Sequence, residues 1–143
     1  MNPTVTSKEE IIAVCQKIAK ERGLEAISIR SVASECGMAV GSVYNYFSSK
    51  SELLCAAIEN IWKDIFHMSA SQCAFSDFVE CLNWLFDSVQ RGSQMYPEFF
   101  SRHAMVFASE DQKAGHQMME KYFRHLEENL LNVLRRDPNV RED

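Results

Sequence analysis

Between Ser28 and Lys50 the chain reads SIRSVASECGMAVGSVYNYFSSK, a segment that gathers side chains suited to bonding phosphates and base edges. Lys50 offers an ammonium, Arg30 a planar guanidinium, Tyr44 and Tyr46 phenolic hydroxyls, and Ser28 and Ser42 short hydroxyls. Asn45 adds an amide, while Val40 and Gly41 are small enough to let a backbone come close to a partner. Lys50 stands where a new helix should begin, a poor place for a cation in the helix dipole. A phosphate held jointly by its ammonium and the adjoining N–H groups would explain it; a solvated lysine is the plain alternative.

Chemistry of other kinds finds no such grouping. His67, His103, His116 and His125 lack H-x-x-x-H or H-E-x-x-H spacing, and no Gly-rich phosphate loop or G-x-S-x-G is present. His116 and His125 fall about 180° apart on one helix, so they cannot share a metal. The pairs Glu9-Glu10 and Glu127-Glu128 read as solvated faces. Cys15, Cys36, Cys55, Cys73 and Cys81 are scattered without a C-x-x-C pair and read as reduced, buried thiols. No catalytic residue, cofactor or metal is expected, and the chain is read as a non-enzyme.

Helices must position the Ser28–Lys50 segment, because apolar residues recur at helical spacing throughout and never convincingly alternate. Ser7, followed by Glu10, has capping-box spacing, and Ile11, Cys15, Ile18 and Ala19 form the stripe of a first helix over 8–22, stopped by Gly23. Leu24 to Ile27 should plug the core. Ser28 caps a second, short helix carrying Val32, Ala33 and Cys36, and Gly37 closes it. A third begins near Val40. Two short helices around Gly37, with Val32, Ala33, Val40 and Val43 turned inward, have helix-turn-helix proportions. In that geometry the N-terminal residues of the second helix enter the major groove, which makes Val40, Gly41, Ser42 and Asn45 candidate base readers. Tyr44 would project from the same helix toward a thymine methyl or a phosphate. Tyr46 lies about 200° further round, so both tyrosines cannot face the core; Phe47 is the expected core member. These short side chains offer little bidentate discrimination, so readout should concentrate in Tyr44, Asn45 and Arg30, with DNA shape supplying the rest.

A fourth helix should run to about His67 with Leu54, Ala57, Ile58, Ile61, Trp62 and Ile65 on its apolar side. Ser69–Phe75 reads as a loop or a broken helix end. Ser76 or Asp77 should start a fifth helix, with Phe78, Leu82, Leu85, Phe86 and Val89 inward and Gly92 as its end. Pro97 suits the start of a sixth reaching about Phe107, and Ser109-Glu110-Asp111 opens a last, longest helix ending near Arg136. Its Met119, Phe123, Leu126, Leu130 and Val133 make a coiled-coil-like seam. The fold is expected to be all-α: a three-helix helix-turn-helix head over residues 1–50 and a helical body over 51–143.

The 143 residues carry a formal net charge of −5, divided as six Lys/Arg against five Asp/Glu through Lys50 and nine against fifteen beyond it. A mildly basic head on an acidic body suits a localised DNA contact and argues against indiscriminate nucleic-acid binding. No stretch approaches the roughly 18 apolar residues of a membrane span, and Met1-Asn2-Pro3-Thr4 lacks signal-peptide character. A cytoplasmic protein without a membrane partner is expected.

Residues 8–54 resemble the DNA-binding head of TetR/AcrR-type regulators. The resemblance rests on a first helix ending in Gly, then S-I-R-S-V-A-S-E-C-G, then G-S-V-Y-N-Y-F-S-S-K-S-E-L-L. It covers about a third of the chain and implies phosphate contacts from Tyr46, Lys50 and Ser28, with Arg30 reaching base or backbone. It also implies a homodimer on a pseudo-palindromic double-stranded operator, a repressor's action, and an effector pocket in the body.

An unknown small apolar effector would meet Met and aromatic linings, for which Trp62, Phe66, Trp84, Phe100, Met105 and Tyr122 are the candidates. At helical spacing the same residues can be plain core. Family members normally dimerise through two long C-terminal helices, whereas this chain stops soon after Pro138. It is expected to be a compact variant or to lack those helices, and a truncated body would expose apolar surface along the last helix. The rival reading is a helical ligand-binding or protein-interaction module whose head does not read DNA.

Overall fold

The computed structural model describes residues 7–66, 75, 77–101 and 112–140, and among them all regular structure is helical. Helix α1 spans Lys8–Arg22, α2 Ile29–Cys36, α3 Val40–Val43, α4 Lys50–Phe66, α5 Phe78–Met95 and α6 Gln112–Arg136. A 3-10 turn at Leu24–Ala26 joins α1 to α2, and residues 99–101 enter a further helical stretch.

The ends of these helices follow their caps. Ser7 accepts from the Glu10 N–H at 3.2 Å to start α1. Gly23 ends it with φ of 90°, open to glycine at no steric cost. Gly37 closes α2 in the left-handed region, its N–H bonded back to Ala33 and Ser34 carbonyls. Asp77 caps α5 through the Val79 N–H at 2.8 Å. A second carboxylate reaches the same helix end from far along the chain. Asp137, just past α6, accepts from the Phe78 N–H at 2.7 Å and from the Asn139 N–H at 2.8 Å. These bonds, Phe78's first, hold the Asp137 carboxyl below its usual range.

One core runs through head and body. Ile11, Cys15 and Ile18 of α1, Val32 of α2, Val43, Phe47, and Leu53, Ile58, Ile61 and Ile65 of α4 are all essentially inaccessible. Burying each large aliphatic among them is worth roughly 1.5–3 kcal/mol. Helix α4 begins at the expected boundary, Lys50, close after the turns that follow α3, and ends deep in the body.

Helix α5 departs from expectation twice. Gly92 does not end it; the helix continues to Met95, and Gly92 is buried where α5 crosses α4. A Cβ there would lie 2.8 Å from Ile65 Cγ2 and 2.9 Å from Ile65 Cγ1, so glycine sets the closeness of the crossing. The inward face is also different: Cys81, Ser88 and Gly92 are buried, whereas Val79, Leu82, Phe86 and Val89 are exposed, Phe86 at 73 %. The small residues let the helices approach, and the Ser88 hydroxyl is satisfied by the Trp84 carbonyl at 2.8 Å. The larger apolar stripe is left outward among the described residues.

The seam expected on α6 is kept in part: Val133 is buried, and Met119 and Leu126 pack against the core. Phe123 is 52 % exposed, in a T-shaped contact with Trp62 at 6.0 Å, and its neighbour Tyr122 is buried instead. The residues expected to form the loop before α5, apart from Phe75, most of the expected sixth helix, including His103, Met105 and Phe107, and also His67 and Cys73, lie outside the described residues.

Candidate nucleic-acid interface

The head is built from α1–α3 and the first turn of α4. Ser28 caps α2 within a closed reciprocal box: its hydroxyl accepts from the Ser31 N–H at 3.0 Å, and its own N–H donates to Ser31 Oγ at 2.9 Å. Ser31 then donates to the Ala26 carbonyl at 2.7 Å, tying α2 to the preceding turn. Sequence reading named Ser28 but missed Ser31, because capping boxes ordinarily carry Glu or Gln at that position. Both polar groups of Ser28 thus already serve α2.

Beyond Gly37 the chain forms a single regular turn, Val40–Val43, and continues in tight hydrogen-bonded turns from Asn45 to Ser42, Tyr46 to Val43 and Phe47 to Val43. Val43 and Phe47 are buried and act as the anchors. Val40, expected to face inward, is 42 % exposed because an element this short buries only the side directly above the core. Gly41, Tyr44 (48 % exposed) and Asn45 join it outside, and Ser42 is half-buried. Of the two tyrosines, Tyr44 is the wet one, whereas Tyr46 packs partly against the core. Gly41 has an ordinary backbone, and a Cβ built on it meets nothing within 4 Å. The fold therefore makes no demand for glycine there. Arg30 is exposed on α2.

The turn into α4 is capped from both sides. Ser49 Oγ accepts from the Glu52 N–H at 3.1 Å, and the Glu52 carboxylate accepts from the Ser48 N–H at 2.7 Å and from the Ser48 hydroxyl. Those bonds lower the Glu52 carboxyl, the Ser48 hydroxyl contributing most. Lys50 stands as an exposed side chain in the first turn of α4. Ion pairs at 3.6 Å from Lys17 and 3.4 Å from Arg22 to Glu35 brace α1 against α2 at the surface.

In the body, Trp62 is the hub of an aromatic cluster. Phe66 stacks on it at 5.4 Å, Phe99 and Phe100 meet it edge-on at 5.4 and 5.6 Å, and Tyr122 lies tilted at 5.8 Å. Trp84 joins through Phe66 at 6.4 Å. Five of the six candidate effector residues are therefore together, packed on one another; Met105 lies outside the described residues. Burial, then the Glu59 carboxylate, pushes the Tyr122 hydroxyl up to about 12. An open groove of about 510 Å³ lies elsewhere, between Ser48, Ser49, Ser51 and Glu52 at the start of α4 and Gln117, Met118 and Lys121 of α6. Sequence reading pointed to neither this groove nor the polar cluster of Gln16, Lys20, Asp64 and Tyr96, since its members lie far apart in sequence on faces that look merely solvated. Among the described residues no group of His, Cys, Asp or Glu could hold a metal ion, and no helix is long and apolar enough to cross a membrane.

A short anchored turn displayed beside a capped helix is the geometry of a helix-turn-helix head. Residues 11–57 match the family described as bacterial regulatory proteins, tetR family. It is 30% identical over 118 residues to the HTH-type transcriptional repressor KstR of Mycobacterium tuberculosis, covering 80% of this chain and 53% of that protein. It is 40% identical over 52 residues to the uncharacterized HTH-type transcriptional regulator YerO of Bacillus subtilis, covering 36% of this chain and 18% of that one. Similarity to the nucleoid occlusion factor SlmA of Haemophilus influenzae is broader and weaker, 23% over 134 residues, covering 89% of this chain and 59% of SlmA. The chain thus spans about half the length of KstR. No solved structure matches it significantly.

Proposed function

We propose that this chain is a transcriptional regulator, a repressor, that binds double-stranded DNA through the head at residues 1–50. One observation carries the reading: Val40, Gly41, Tyr44 and Asn45 are displayed to solvent while Val43 and Phe47 anchor the same turn. In this reading Ser42, Tyr44 and Asn45 meet base edges, aided by Arg30, and Tyr46 and Lys50 hold phosphates. Ser28 contributes by fixing the start of α2. Two copies on a pseudo-palindromic operator supply the affinity that these short readers lack singly. A small apolar effector that opened the Trp62 cluster of the 51–143 body would alter the heads and release DNA.

The outward stripe of Val79, Leu82, Phe86 and Val89 favours a second reading, a helical protein-interaction module without DNA readout. Selection from a pool of random duplexes separates the two. Enrichment of a two-fold-symmetric site supports the regulator. A folded chain that enriches nothing at low salt, even with two heads artificially joined, favours the module.

A further inference from the structure

Gln16 and Lys20 sit one turn apart on α1 and so project from the same side of that helix. Both meet Tyr96, which follows the last turn of α5 and is only 1 % exposed. Gln16 Nε2 donates to the Tyr96 hydroxyl at 3.0 Å, and Lys20 Nζ lies 5.3 Å above the phenol ring. The same hydroxyl donates to Asp64 Oδ2 on α4, and Lys20 pairs with that carboxylate at 3.8 Å. One phenol thus joins the first helix of the head, the connecting helix α4 and the end of α5.

The surrounding contacts make this junction stiff. Arg91 Nη2 donates to the Ile65 carbonyl at 2.8 Å, and Gly92 lies directly against the Ile65 side chain. The last turn of α4 is therefore gripped by three successive contacts from α5, through Arg91, Gly92 and Tyr96. On its other side Tyr96 lies 6.2 Å from Phe99, which abuts Trp62 at 5.4 Å. A rearrangement of the aromatic cluster cannot leave Tyr96 in place, because close-packed interiors shift between discrete arrangements rather than stretch. Phenylalanine would fill the same volume, so the hydroxyl's distinct contribution is its pair of bonds to α1 and α4.

We propose that Tyr96 is the positioning residue that couples body to head: through Gln16 and Asp64 its hydroxyl transmits the packing of the Trp62 cluster to the placement of α1 and so to DNA affinity. This rests on the DNA-binding reading above. Linkage is reciprocal, so DNA bound to the head must in turn perturb the cluster.

The test uses the full chain carrying Trp84→Phe, which leaves Trp62 as the single tryptophan. A labelled duplex carrying the selected site is titrated in while Trp62 emission and duplex anisotropy are followed together. DNA should shift Trp62 emission in this background. Tyr96→Phe and Gln16→Leu should each remove most of that shift and change DNA affinity by about fivefold, the lower end of typical allosteric coupling. The double variant should do no more than Tyr96→Phe alone, which already removes the bond that Gln16→Leu breaks. A merely structural tyrosine would change stability and leave the emission response in place. An undiminished response in Tyr96→Phe, or fully additive effects, would overturn the proposal. Should Tyr96→Phe fail to fold, Gln16→Leu breaks the same bond from the half-exposed side and decides alone. If the unmutated chain binds no DNA, the regulator reading fails, and hydrogen exchange of the α1 amides then judges the linkage separately. About fivefold faster exchange at residues 16–22 in both single variants, not increased in the double, supports it; unchanged exchange overturns it.

Discussion

Replacing Gly92 by alanine tests whether this residue sets a helix crossing or ends a helix. Alanine in a helix interior is favoured over glycine by about 1 kcal/mol, so propensity alone predicts a gain. Against that, the new Cβ would lie 2.8 and 2.9 Å from Cγ2 and Cγ1 of Ile65, both attached directly to its Cβ. Ile65 is fully buried and β-branched, so neither atom can swing aside. Overpacking of this kind costs about 1–3 kcal/mol. The net expectation is a loss of roughly 1 kcal/mol, near 4 °C in Tm for a chain of this size. The decisive comparison is the same change in an Ile65→Ala background. That background alone should lose about 2–5 kcal/mol. There the alanine at 92 meets no branch atoms, fills part of the void and keeps its propensity advantage, so it should now stabilise by about 1 kcal/mol. Urea denaturation followed by circular dichroism would read both steps. A reversal of sign supports the crossing. An equal cost in both backgrounds would refute it and return Gly92 to a conformational role.

Gly41→Ala should raise stability by up to about 1 kcal/mol, since nothing lies within 4 Å of the added methyl; if glycine is there for close DNA approach, the same variant should lose affinity by gel shift. Phe86→Ala should change the urea midpoint hardly at all, because that ring is mostly in solvent. Burial, with the neighbouring Cys36 adding to it, pushes the Cys15 thiol from 9.0 up to about 12. Its folded value lies above the unfolded one, so its contribution is whole below pH 9 and disappears as pH rises toward 12. Alkylation at pH 8 should accordingly label half-buried Cys55 well before Cys15, read by peptide mass. The Asp137 carboxyl is depressed, so its contribution is present above the ordinary carboxylate value and lost as pH falls through the folded one; Asp137→Asn should flatten the acid limb of stability against pH.

The head was legible because its determinants are local. Ser7, Gly23, Ser28 and Gly37 fix helix ends through their own backbone neighbours, and Val43 and Phe47 reach the core from one short turn. The body was less legible, because which face of α5 turns inward depends on what it crosses. Periodicity favoured the large residues Leu82, Phe86 and Val89, whereas close approach to α4 selected Cys81, Ser88 and Gly92. On α6 the expected seam kept Val133, Met119 and Leu126 toward the core, but Tyr122 rather than Phe123 is inside. The Tyr96 junction joins residues 80 positions apart, and nothing local marks Gln16 or Asp64 as its partners. Ser31 and Asp137 escaped for the related reason that each satisfies a backbone group belonging to another segment.

If the head grips phosphate and reads bases, its DNA affinity must depend steeply on salt. Affinity of the full chain and of Lys50→Ala for the selected duplex would be measured as salt is raised. The account predicts a steep linear fall of log affinity with log salt in the full chain, and a slope shallower by about 0.9 in Lys50→Ala, one phosphate contact fewer. A flat dependence, or a slope that Lys50→Ala leaves unchanged, would contradict it.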